Sequence, residues 1–254
     1  MIKKLFVIIL SITAFPSASA QTQSGKARAF YRDIMEMRVQ IYRISRDKLY
    51  EMNHPGFDLI QKDLGDAIMI LEEKLSDVES ALDVPETKNE LQQVIKLWDN
   101  LRLNAMRKLD KKRFGKFYYD TKTFDNYLRI IADKWQDKFQ LSGEKWKNIR
   151  RYYDGMCSLY QMNIGYMVDK HPVNESFMHI YGKSKGRFVK FIDMLKQSTS
   201  PTDTETARFL AKAFNQWNFL RYNMANQFMP AEKTVFESTN LLHFFLKRLI
   251  PKAG

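Results

Sequence analysis

SGKARAFYRDIMEMRVQIYRI, residues 24–44, is the stretch on which the fold turns. On a helical wheel at about 100° per residue, Phe30, Ile34, Met37, Ile41 and Ile44 cluster within roughly 40° of one direction. That is the apolar stripe of a helix laid against a core. Arg28, Arg32, Arg43 and, just beyond the stretch, Arg46 fall on the opposite side, together with Met35, Val39 and Tyr42. Lys26 and the arginines outnumber the acidic residues here, which are Asp33 and Glu36 alone. A face that only meets water has little use for Met and Val. Arg, Met and aromatic residues are instead enriched in contact patches, and Arg suits fork-like recognition of planar anions. The spacing predicts a first helix with its apolar side in the core and its basic side turned outward as a contact surface.

The same three- and four-residue steps recur along the chain. Leu59, Leu64, Ile68, Leu71 and Leu75 make a second stripe, and Leu91, Ile95, Trp98, Leu101 and Met106 a third. Phe117, Phe124, Tyr127, Leu128 and Ile131 make a fourth, with no strand-like alternation between them. His54-Pro55-Gly56 reads as a break, Asp83-Val84-Pro85-Glu86 as a loop and helix start, and Gly115 as an interruption of the third connection.

Then the pattern begins again. Ser142-Gly143 repeats Ser24-Gly25 at a separation of 118, and at that offset Arg32 falls on Arg150, Glu36 on Asp154, Ile41 on Leu159 and Tyr42 on Tyr160. His54-Pro55 is echoed by His171-Pro172, and LWDNLRLN (97–104) by QWNFLRYN (216–223). Pro85 and Pro201 each precede the third helix of their half, and Trp98 and Trp217 are expected to be equivalent buried residues. The reading is all-α: a tandem duplication of an antiparallel four-helix bundle unit, residues 21–140 and 141–254, joined through a long central helix interrupted only at Ser142-Gly143.

Residues 1–20 read as a signal peptide. Lys3 and Lys4 precede the apolar run Leu5 to Phe15, and Ala18-Ser19-Ala20 supplies the small residues of a cleavage site after Ala20. The run is about half of the ~20 residues that a spanning helix needs, so export to the periplasm is expected rather than anchoring. Without Lys3 and Lys4 the mature chain carries 39 basic against 29 acidic residues. Such a charge favours anionic partners: small anions, lipid head groups, acidic proteins. No nucleic-acid motif accompanies it.

Cys157 is the single cysteine and lies in an apolar helical register, which places it in the core and excludes an internal disulfide. No C-x-x-C-H is present for haem attachment. The thirteen Met read as core fillers rather than ligands, and the four His are scattered, so no cofactor or metal is expected. No nucleophile, phosphate-cradling Gly loop or carboxylate pair can be assembled from the sequence, so a non-catalytic protein is expected.

SGKAR at the start of the first helix resembles the Ala/Ser-Gly-Arg/Lys-x-Arg opening of type IV pili methyl-accepting chemotaxis N-terminal (PilJ-type) domains, which are related to the periplasmic sensor domain of NarX-type nitrate kinases. In the second half Lys145 replaces the Arg. The resemblance implies a periplasmic sensory helical module, with Gly25 and Arg28 matching the family's Gly and Arg and with anion binding by an Arg across a homodimer interface of the first helix. The expected site is therefore Gly25, Arg28, Arg32 and Arg43. It would take a small anion or an acidic partner and act through a membrane receptor or sensor protein. The alternative is a structural or adaptor protein of the cell envelope with no small ligand.

Overall fold

Each apolar stripe becomes a helix in the computed structural model, which describes residues 18–80, 85–169 and 232–247 together with helical positions 205, 208, 211, 212, 215, 216, 218 and 219. The elements are α1 (Ala18–Asn53), α2 (Asp58–Glu79), a 3₁₀ turn (Pro85–Thr87), α3 (Lys88–Ala105), α4 (Lys111–Lys138), α5 (Glu144–Asp169) and α6 (Glu232–Lys247). No strand occurs among the described residues, and the all-α expectation holds. No described helix is long and apolar enough to cross a membrane.

The breaks have local causes. Gly56, at φ 100°, supplies the left-handed step that turns the chain from α1 into α2. Asp110 caps α4, its side chain accepting from the Arg113 amide at 2.8 Å. Gly115 lies inside α4, so the break expected there falls earlier, between Ala105 and Lys111.

The junction of α4 and α5 corrects a larger expectation. Gln140 takes a left-handed φ of 49°, its amide bonding to the Asp137 carbonyl at 3.3 Å and the Leu141 amide to the Gln136 carbonyl at 2.9 Å. This is a Schellman ending, and buried Leu141 supplies its apolar contact. Gly143, at φ 101°, then admits a further turn. The chain reverses here instead of running straight on. Tyr31, Arg38 and Ser45 of α1 meet Gln136, Asp125 and Thr121 of α4, in descending order, so α4 is antiparallel to α1. The same Tyr31, Arg38 and Arg46 meet Trp146, Asp154 and Tyr160 of α5 in ascending order, so α5 is parallel to α1. The two helices are not one central helix, because α1 itself occupies that place.

α1 packs against α2, α4 and α5, and its side chains also reach α6, where Arg46 bonds Asn240 and Tyr50 packs on Phe236. Phe30, Ile34, Met37, Ile41 and Ile44 are buried as expected, but so are Met35, Val39 and Tyr42 on the other side. Trp135 stacks on Phe30 at 3.6 Å and donates to the Ala27 carbonyl at 2.9 Å, closing the start of α1 against the end of α4. Trp98 and Cys157 are buried as expected; Leu59 is half exposed. Trp217, His171-Pro172, His179 and Pro201 lie outside the described residues.

The separation of 118 reappears in the packing. Tyr42 bonds Asp125 of α4, and Tyr160, 118 residues on, bonds His243 of α6, 118 residues beyond Asp125. Ser45 and Thr121 share a hydrogen bond of 2.8 Å; Asn163 donates to Thr239 at 2.8 Å. Thr121 donates to the Phe117 carbonyl and Thr239 to that of Val235. The pair α1–α4 and the pair α5–α6 thus make corresponding contacts at corresponding positions.

Candidate functional site

The basic face of α1 divides into two parts with different surroundings. From Arg38 to Arg46 the helix is enclosed, and its cations are spent on carboxylates of the neighbouring helices. Arg38, buried, donates from Nε to Asp125 Oδ1 at 2.6 Å and from Nη1 to Asp154 Oδ1 at 2.8 Å, linking α1 to α4 and α5. Tyr42 donates to the other oxygen of Asp125 at 3.1 Å. Burial pushes the nearby Cys157 thiol up, so it stays protonated and inert.

One turn further along, Arg43 bonds Asp63 of α2 through both Nε and Nη2, and Gln40 through Nη1 at 3.2 Å. Arg46 has no exposed surface. It bonds Asp63, Asp47 at 2.8 Å and Asn240 at 2.6 Å, and lies against the rings of Tyr160 and Phe236 at 4.8 and 4.2 Å. Burial alone would raise the Asp63 carboxyl, but hydrogen bonds from Arg43 and the charges of Arg46 and Arg43 outweigh it and bring it to about 2. Burial holds the Asp47 carboxyl well above its ordinary range despite Arg46. His243, desolvated and facing Arg43, Lys247 and Arg46, is lowered to about 3 and is neutral at pH 7.

This seam clasps α1 to four neighbours. Arg43 was expected to face outward with the contact surface; it faces inward, as does Arg46. The reason is that α5 and α6 cover the side of α1 that a single four-helix unit would leave open. The sequence signal was present in Met35 and Val39. Apolar residues sharing a face with arginines mark a buried polar seam here rather than an outer interface. Asp63 and Asp125, the acidic partners, stand beside apolar stripe positions of their own helices, and only the packing pairs them with α1.

The start of α1 is different. Gly25, Lys26 and Arg28 are exposed, and a Cβ at Gly25 would meet nothing within 4 Å, so packing does not require glycine there. Arg28 has no ion-pair partner among the described residues. Arg32 is half buried, and its Nε is shielded from water with no hydrogen-bond acceptor. Buried N–H groups are rarely left so. The two arginines lie one turn apart and can reach a common anion. A homodimer through α1 could use only these first turns, because the helix beyond them is enclosed.

Among the described residues no group of three or more His, Cys, Asp or Glu is placed to hold a metal ion. Of the His, His54 ends α1 and pairs with Glu232 of α6, and His243 is held by Tyr160. In comparisons with family models, curated proteins and solved structures, the chain matches none.

Proposed function

We propose that this chain is an exported, non-catalytic sensory or ligand-binding helical module that takes a small anion, or an acidic group of a partner, at the start of α1 and acts through a membrane receptor. Arg28 and Arg32 carry the contact. The supporting observation is Arg32: its Nε lacks an acceptor beside Arg28, which has no ion-pair partner among the described residues, whereas Arg38, Arg43 and Arg46 on the same helix are all satisfied internally. The charge left unspent is at one end.

We also propose that the two halves of the chain arose by tandem duplication of a helical unit. The paired contacts at the separation of 118 support this, since register matches of side-chain hydrogen bonds are harder to reach by chance than matches of apolar residues. In this reading the second copy keeps the packing role of the first, and the resemblance of SGKAR to PilJ-type openings applies to the first copy.

The test is Arg28→Ala combined with Arg32→Ala. An anion screen by thermal shift, with nitrate, phosphate, sulfate and small carboxylates, should raise the melting temperature of the parent and not of the double variant. Binding should weaken with salt, since exposed charges are screened beyond about 8–10 Å at ordinary ionic strength. Equal responses of parent and variant would dismiss the site. A parent that ignores every small anion, yet retains an acidic partner protein through these arginines, would favour the envelope adaptor over the sensor.

A further inference from the structure

At the opposite end of α1, about 30 Å from Arg28 at 1.5 Å per residue, the connection between α3 and α4 holds a second basic region. Its sequence, Leu103-Asn104-Ala105-Met106-Arg107-Lys108-Leu109-Asp110-Lys111-Lys112-Arg113-Phe114-Gly115-Lys116, carries six cations and one carboxylate. Lys48 of α1 ties it to the bundle by donating to the Arg107 carbonyl at 2.7 Å. All six cations are exposed. Asp110, the single carboxylate, is engaged by the Arg113 amide and lies 3.5 Å from the Arg113 side chain; the other five cations have no carboxylate among the described residues.

Stability does not explain this placement. A helix N-terminus is the positive end of its dipole and favours acidic residues. Beyond its N-cap Asp110, α4 has none in its first turn and begins Lys111-Lys112-Arg113. Three of the six cations, Arg107, Arg113 and Lys116, line a cleft of about 350 Å³ together with Asn104, Leu109 and Phe117. Two arginines, a lysine and an asparagine line this space with two apolar side chains; the Asn104 amide also donates to the Asn100 carbonyl at 3.0 Å, and the Arg113 guanidinium lies 3.5 Å from Asp110. This donor set fits a phosphate group, whose several oxygens accept from more than one fork.

Near the lining residues in the chain are apolar side chains that the core does not use: Leu103 precedes Asn104, Met106 precedes Arg107, and Tyr119 follows Phe117 by two residues. Leu103 is 53% exposed, Met106 71% and Tyr119 70%, the last one turn beyond Lys116 on α4. Cations interleaved with exposed Leu, Met and Tyr have the composition of a surface that lies in the headgroup layer of a membrane, the charges on phosphates and the apolar groups reaching below them. A site for a free phosphate would have no use for the three apolar residues.

We propose that the α3–α4 end of the bundle docks on an anionic lipid surface, with a lipid phosphate in the cleft of Arg107, Arg113 and Lys116 and with Leu103, Met106 and Tyr119 entering the interface. The surface is separate from Arg28 and Arg32, so either site can fail without the other.

Flotation of the mature chain with vesicles tests this. Phosphatidylcholine vesicles containing phosphatidylglycerol should carry the protein up, and pure phosphatidylcholine vesicles should leave it behind. Arg107→Ala with Arg113→Ala and Lys116→Ala should reduce binding at least tenfold, given about 1 kcal/mol for each cation at an anionic surface. Leu103→Ser with Met106→Ser should reduce it several-fold, and Arg28→Ala with Arg32→Ala should leave it unchanged. Circular dichroism verifies the fold of each variant. Lys112→Glu with Lys116→Glu, two exposed positions, serves if the triple variant does not fold. Failure to float with anionic vesicles, or unchanged binding by the triple or charge-reversed variant, overturns the proposal. So does loss of vesicle binding to competing glycerol phosphate together with indifference to Leu103 and Met106, which would make the cleft a site for a soluble phosphate.

Discussion

The pairs α1–α4 and α5–α6 make the same contacts with different chemistry. In the first, Tyr42 bonds Asp125, and Asp125 also holds the buried Arg38. In the second, Tyr160 bonds His243, and the position equivalent to Arg38 is Met156, which is fully buried. Where the carboxylate becomes a neutral imidazole, the arginine becomes a methionine. A buried charge needs a buried countercharge; without one, desolvation costs more than packing returns. The two pairs are alternative solutions of one site, ionic and neutral.

The largest effect comes from breaking the ionic solution. Asp125→Ala leaves Arg38 half-paired and Tyr42 without an acceptor, and should destabilise the fold by about 3–5 kcal/mol, the range for removing one member of a buried pair. Urea denaturation measures it. The comparison then makes a sharper demand: Asp125→His with Arg38→Met copies the neutral solution into the first pair and should recover most of that loss. Asp154, which would lose Arg38, is about one-third exposed and can turn to water. A double variant less stable than Asp125→Ala would show that the two pairs are not interchangeable.

The neutral solution has its own weakness, which is acid. Unfolded histidine takes up a proton near pH 6.5, but His243 in the fold does so only near 3. Between these values the unfolded chain binds more protons, so stability falls as pH falls, by at most about 1.4 kcal/mol per unit. Asp63, lowered to about 2, adds a loss below its unfolded value of 3.8, whereas Asp47, raised, acts in the opposite sense as pH rises above 3.8. His243→Gln should therefore flatten the stability profile between about pH 6 and pH 4 and leave the steeper loss below it. An unchanged slope in that window would mean that His243 is charged in the fold.

The smallest effect separates Arg32 from Arg150, its equivalent 118 residues on. Arg150 bonds Asp133 at 2.6 Å and Gln136 at 3.3 Å, while Arg32 leaves an N–H unused. Arg150→Ala should cost less than about 1 kcal/mol, as partly exposed pairs do, and Arg32→Ala nearly nothing in stability. Thermal melts that rank them the other way would give Arg32 a structural partner and remove the argument for a ligand there.

The helices were legible because burial of an apolar stripe has a period that any chain must write into its residues. Phe30 to Ile44 and Phe117 to Ile131 declare helices without reference to anything else, and the echo of Arg32 in Arg150 and Tyr42 in Tyr160 pointed to the matching contacts of α1–α4 and α5–α6. The turn at Gln140 was not legible, since a left-handed glutamine leaves no mark in composition, and Gly143 repeated the Gly25 of an unbroken helix.

What the sequence determined by itself was the helical character of the described segments and the sign of the charge on α1. What only the tertiary structure decided was which side of each helix met water. A wheel assigns the second face of α1 to solvent because it counts one neighbour, and the fold brings α5 back along that face with α6 beside it. Arg43 and Arg46 are then interior, not because they lost their charge but because Asp63 of α2 and Asn240 of α6 arrive to meet it. Arg28 stays exposed and Arg32 keeps an N–H without an acceptor, since among the described residues no such groups meet them at the start of the helix. Local spacing fixes what a residue can do, and the partners that reach it from distant positions fix what it does.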